Sequence, residues 1–268
     1  MAPLKIVSFL CQYQDPEYLD AVLTNFKWLP DKLYILEGAW KSAMKDGSDP
    51  RSDQRTYEII AKHVDNEKVF LIQSNEETEV KQRQVGLELA KHDKADWCWM
   101  IDSDEVYTKS TMQAIQRILT NAPSFVHTYR VRSYNFINSF KRWYDGDYAR
   151  IYRVTPDAQF IMNNDVQFYQ DGRVVGSFKI PEQLRFHHYN YVKLDPEHMW
   201  TKLRAHENDD PNFKQQHTHR YGHQGNQYTL PSDIPIFTYT GKHPLIMKDH
   251  PNFVNNIYND HNLQFMRE

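Results

Sequence analysis

The chain has 268 residues, 40% of them apolar and 25% charged, with a formal net charge of −3. That length builds one large domain, or one domain with an extension, and buries a core without covalent staples. The balance excludes disorder as the default and shows no basic footprint for nucleic acid or an anionic membrane surface.

Two cysteines, Cys11 and Cys98, lie inside apolar runs and read as buried free thiols of a reducing compartment, not as a disulfide framework. The start of the chain lacks the apolar region of a signal peptide, and no run is long enough to span a bilayer. The expectation is a cytoplasmic protein, from a bacterial cell or a virus-infected host cell, with no membrane partner.

In chain order, residues 4–10 form a short apolar run of strand length. Asp15-Pro16 then reads as a helix start, with Leu19, Val22, Leu23 and Phe26 at helical spacing. Residues 33–36 are a second strand. Ser52 or Asp53 caps a second helix carrying Tyr57, Ile60, Ala61 and Val64. Residues 69–72 are a third strand, about 77–91 a third helix, and 97–101 a fourth strand. Met112, Ile115, Ile118 and Leu119 mark a further amphipathic helix that ends near Asn121 and Pro123. Strand and helix in alternation predict a mostly parallel sheet with helices on its faces. Ligands in such sheets bind beyond the carboxyl ends of the strands. Residues 125–131 and 149–154 read as strands of the second half. Beyond Pro181 the pattern turns irregular, so the expected division is 1–124 and 125–268 within one continuous domain.

The sharpest signal is Trp97-Cys98-Trp99-Met100-Ile101-Asp102-Ser103-Asp104-Glu105, a buried strand running straight into three carboxylates. On an extended strand end, Asp102 and Asp104 would share a side. Two carboxylates on one side repel unless a cation lies between them, and Mg²⁺ or Mn²⁺ takes such oxygens together with substrate phosphates. The same residues would also suit a solvated turn that caps the next helix. Their place at the end of the fourth strand favours a metal-diphosphate site.

Val80-Lys81-Gln82-Arg83-Gln84-Val85-Gly86, then Ala95-Asp96-Trp97, then Ile101-Asp102-Ser103-Asp104-Glu105 resembles the family 2-like glycosyltransferases of the GT-A fold. Gln84 stands where that family often has Asn. The resemblance covers roughly residues 4–120 and implies a GT-A (Rossmann-like) α/β fold with an irregular C-terminal acceptor region. It also implies a nucleotide-sugar donor, Mn²⁺ or Mg²⁺, and a DxD motif. Carried over, Asp104 would be the principal metal ligand, and Asp102 would meet the metal or the donor ribose. Arg83 would approach the diphosphate, and Glu37 would face the donor nucleoside. The acceptor could be a glycan, a protein or a modified DNA base. A nucleotidyltransferase, or a non-catalytic nucleotide-sugar-binding protein, is the alternative; the first usually shows a glycine-rich loop, and residues 11–15 contain no glycine.

The second half is rich in histidine. His217-x-His219 invites zinc, but the spacings fit no closed site. Phe186-His187-His188-Tyr189, followed by Met199-Trp200-x-Lys202, is similar to the segment with which related transferases complete a metal shell. One of His187 and His188 would ligate, with His188 preferred, and Lys202 would reach the diphosphate as a point charge. An inverting transfer also needs a carboxylate to take the acceptor proton. Asp165 is the preferred base over Asp145 and Asp147, because Asp145-Gly146-Asp147 reads as a turn. Trp143, Tyr144 and Trp200 are candidate stacking platforms.

Overall fold

The computed structural model describes residues 3–41, 44, 49–162, 165–167, 169–170, 173–174, 177–193, 222–224, 227–229 and 234–266, with backbone alone at 162–174 and 222–229. Strands β1 (Ile6–Gln12), β2 (Lys32–Glu37), β3 (Val69–Gln73) and β4 (Trp97–Ile101) form a parallel block in the order β3-β2-β1-β4. Helices α1 (Leu19–Phe26), α2 (Gln54–Ala61), α3 (Glu79–His92) and α4 (Lys109–Thr120) alternate with them.

Side-chain alternation splits the block into two cores. Ile6, Leu10, Ile35 and Trp99 pack with Val22, Phe26, Ile60 and Ile115. Val7, Phe9, Leu36 and Met100 turn the other way, onto Leu87 and Ala90 of α3. Gly86 lets α3 sit on β1, since a Cβ there would lie 2.3 Å from the Phe9 ring. Asp53 caps α2 by accepting from the Thr56 N–H, as expected, and Thr108 caps α4 in the same way. The helix start expected at Asp15-Pro16 is corrected: α1 begins at Leu19 behind Tyr18, with no side-chain cap, and Asp15 is drawn into a buried ion pair instead.

Beyond β4 the sheet becomes mixed. After β5 (Glu105–Val106) come β6 (Thr128–Ile137) and β7 (Arg142–Arg153). The pairs β8 (Gln159–Met162) with β9 (Asp165–Gln167), and β10 (Tyr169–Gln170) with β11 (Arg173–Val174), form separate small sheets. Strands β12 (Ser177–Lys179) and β13 (Phe186–Tyr191) return to the main sheet. Then β14 (Gly222–Gln224) pairs with β15 (Gln227–Thr229), and β16 (Phe237–Thr238) joins β7. The full path is β3-β2-β1-β4-β7-β6-β13-β5, with β12 on β6 and β16 on β7. One sheet therefore runs through both halves of the chain. The chain closes with α5 (Pro251–Val254), capped by His250.

Two expectations change here. Strand β7 starts at Arg142 and absorbs Asp145-Gly146-Asp147, which pair with Tyr134, Ser133 and Arg132 of β6 rather than turning. A strand tolerates these residues because Arg130, Arg132, Lys179 and Arg185 neutralise the two aspartates. The region past Pro181 is not irregular throughout, since β13 is buried along most of its length. Among the described residues, no helix is long and apolar enough to cross a membrane.

Candidate active site

Strand β4 stops at Ile101, and the Glu105 N–H returns to the Asp102 carbonyl at 3.2 Å, so residues 102–105 form a tight turn. The expectation that Asp102 and Asp104 share a side rests on extended backbone, which ends one residue too early. The two carboxylates reach different partners. Asp102 accepts from the Arg150 guanidinium at 2.7 Å and lies 3.6 Å from Arg83. Asp104 is fully buried, with Oδ1 3.1 Å from His188 Nε2 and Oδ2 3.2 Å from Lys193 Nζ.

Glu105 forms the floor of the turn. Arg150 donates to both of its oxygens, from Nε at 3.0 and 3.1 Å and from a terminal nitrogen at 2.6 Å. Burial pushes the Glu105 carboxyl up against the pull of Arg150. Burial alone would lower Arg150, but Asp102 and Glu105 hold its guanidinium charged well above the ordinary range. Arg83 is likewise buried and paired with Glu79 one helical turn away, and these carboxylates hold its pKa up against burial.

The structure brings His188, not His187, to Asp104. His187 lies among Phe136, Tyr189 and Tyr239, with Nε2 2.8 Å from the Tyr239 hydroxyl, and burial pushes its pKa down to about 3. His188 is held from β6: its Nδ1 is 2.7 Å from Asn135 Oδ1, which also accepts from Ser133 Oγ at 3.0 Å. With Asn135 Oδ1 on the Nδ1 side of the ring, Nε2 faces Asp104 Oδ1 at 3.1 Å, and a proton or a metal ion can lie between them.

The residues fit a divalent cation in that respect. Among the described residues, no group of three or more His, Cys, Asp or Glu is arranged to hold one. Two protein ligands with donor phosphates and water are an ordinary arrangement for Mg²⁺ or Mn²⁺.

Glu37 ends β2 as expected and is buried, but its carboxylate already accepts from the Ser52 N–H at 2.7 Å and from the Tyr57 hydroxyl. Asp165 opens β9 of a hairpin whose β8 packs on α3; its side chain lies outside the described residues. Lys202 and Trp200 lie outside them as well, as do His198, His206, His217, His219 and the His223 side chain. Trp143 is engaged within the fold, edge-on to Tyr134 at 4.8 Å and beside Phe237 at 5.1 Å. Tyr144 is buried.

Sequence reasoning missed Asn135, Arg150 and Lys193. Arg150 carried a usable signal: an arginine inside the apolar run Ala149-Arg150-Ile151-Tyr152 requires a buried carboxylate. Asn135 carried none, because only its pairing with β13 gives it a role.

No family model matches the chain, and no curated protein matches it. Solved structures similar to part of it include S. aureus TarS 1–349, at 15% identity over 56% of this chain and 47% of that chain, TM-score 0.36. A cytidylyltransferase from Leptospira borgpetersenii serovar Hardjo-bovis is 14% identical over 56% and 60%, TM-score 0.34. CMP:2-keto-3-deoxy-manno-octonic acid synthetase is 10% identical over 56% and 74%, TM-score 0.32. The chain thus spans 47% of the TarS fragment's length. Likeness at these scores reaches neither activity nor substrate.

Proposed function

We propose that this chain is a divalent-cation-dependent glycosyltransferase that moves a sugar from a nucleotide-sugar donor to an acceptor hydroxyl. One observation carries the reading. At the carboxyl end of β4, the buried Asp104 carboxylate faces an imidazole whose other nitrogen is held by Asn135. The family resemblance of residues 80–105 supports it.

Asp104 and His188 would hold Mn²⁺ or Mg²⁺, which when bound supplies charge neutralisation to a diphosphate leaving group. The chain's own residues do the rest. Asn135 fixes the His188 ring, and Arg150 holds Asp102 and Glu105 so that the turn keeps its shape without like-charge repulsion. Asp102 is assigned to the donor ribose rather than the cation, because two guanidiniums already share its carboxylate. Arg83 lies against Asp102, where it can orient that contact. Asp165 is the proposed acceptor base and Lys202 the proposed diphosphate contact, both by resemblance.

The test is turnover of UDP-, GDP-, dTDP- and CDP-sugars with and without Mn²⁺, with products identified. Free nucleoside diphosphate and a glycosylated or hydrolysed sugar are expected; pyrophosphate as the product instead would assign a nucleotidyltransferase. Asp104→Asn should lower Mn²⁺-dependent turnover about a hundredfold or more in protein that circular dichroism shows to be folded. Near-wild-type turnover in that variant removes the mechanism.

A further inference from the structure

Asp104 receives two groups from one segment. His188, within β13, faces its Oδ1; Lys193, just past the end of β13, stands 3.2 Å from its Oδ2. The Lys193 ammonium also donates to both oxygens of Asp15, at 2.6 and 2.8 Å, and Ser103 Oγ donates to Asp15 Oδ2 at 2.7 Å. All three charges are out of solvent: the side chains of Lys193, Asp104 and Asp15 are 1%, 0% and 9% exposed. Lys193 is therefore a buried cation between two carboxylates that come from the ends of different strands.

The donor set explains what that position means. Asp104 and His188 supply two protein ligands, so a divalent cation there needs further oxygens, and a donor diphosphate supplies them. The ammonium occupies both oxygens of Asp15 and stands at the second oxygen of Asp104. It also leaves a fixed positive charge beside the remaining ligands, which opposes a second cation in buried surroundings. A diphosphate arriving at the same place carries the negative charge that offsets it.

We propose that Lys193 is a positioning residue, a tethered counter-cation that makes divalent-cation capture at Asp104 and His188 depend on the donor diphosphate. This rests on the cation site proposed above. Metal and donor are then thermodynamically coupled, each tightening the other by the same factor. The empty protein avoids loading a cation that would have no diphosphate to neutralise.

The test is Mn²⁺ binding to the full chain without nucleotide, read by electron paramagnetic resonance of free Mn²⁺. Lys193→Met should bind Mn²⁺ at least about tenfold more tightly than wild type. Asp15→Asn, which leaves the ammonium wholly to Asp104, should bind it at least about threefold more weakly. A role in packing alone would not move the two variants in opposite directions. Unchanged or weaker binding by Lys193→Met overturns the proposal. If that variant fails to fold, unchanged or tighter binding by Asp15→Asn overturns it. Asp104→Asn separates the two levels. Mn²⁺ retained there with UDP present places the cation elsewhere, and the site reading falls too. Mn²⁺ lost there but unmoved by the other two substitutions removes only the role of Lys193.

Discussion

Removing the Arg150 guanidinium would take from Glu105 the partner that reaches both of its oxygens, in a place with no solvent exposure. Arg150→Met should therefore destabilise the protein by about 3–5 kcal/mol, read as a lowered denaturant midpoint. Adding Glu105→Gln should recover much of that loss, since an uncharged amide no longer needs the cation. If the double variant is no more stable than the single one, the charge pairing is not what Arg150 contributes. At this scale the acidic residues were legible, because their position at the end of a predicted strand marks them for chemistry. Of their partners, His188 was reached through resemblance, while Arg150 and Lys193 were not reached. Both arrive from distant parts of the chain, and no local pattern ties an arginine in one strand to a particular glutamate in another. The buried Lys193 beside Asp104 carries no local signal of its role, and Lys202 lies outside the described residues.

Strand β7 is the element that carries the site's geometry, since it joins β4 on one edge and β6 on the other. Gly146 sits where β7 passes the Ser133 and Asn135 side chains, and an added Cβ would come within 2.3 Å of both. Gly146→Ala should destabilise by about 1–3 kcal/mol and also weaken Mn²⁺ binding, because the displaced amide is the one that holds His188. A stability loss with unaltered Mn²⁺ affinity would mean that Asn135 does not orient the ring. The alternating first half was legible as far as Ile101, because periodicity and caps are local signals. The Asp-Gly-Asp run misled for an equally local reason: its composition is that of a turn, and only four basic side chains from β6, β12 and the 181–185 segment make it acceptable in a strand. The strand ending at Ile101 likewise separated two aspartates that extended spacing would have aligned.

For the whole molecule, acid stability follows from histidines buried as neutral rings. Burial lowers His187 to about 3, and lowers His243 and His250 as well. Unfolding returns each to about 6.5, so below that pH the unfolded chain binds protons the folded chain refuses. Their neutral burial costs nothing above about pH 6.5, and stability falls as pH drops from there toward 3. For His187 alone the loss at pH 5 is about 2 kcal/mol. His187→Gln keeps a donor for Tyr239 without a titrating ring, so its unfolding midpoint should depend less steeply on pH between 7 and 5. A wild-type midpoint flat across that window would show that these rings are not neutral in the fold.

The parallel pairing of β6 with β13 has a consequence for the order of assembly. It sets Ser133 beside Phe186 and Asn135 beside His188, residues that a hairpin turn cannot join. Their alignment must wait until the long intervening stretch has been closed, the slow and entropically costly kind of contact. The first four strands and their helices can collapse on local signals, yet they possess only the acidic turn. The acidic turn and His188 meet only when the last central strand docks, so the proposed cation site belongs to the completed sheet and not to a half-folded chain.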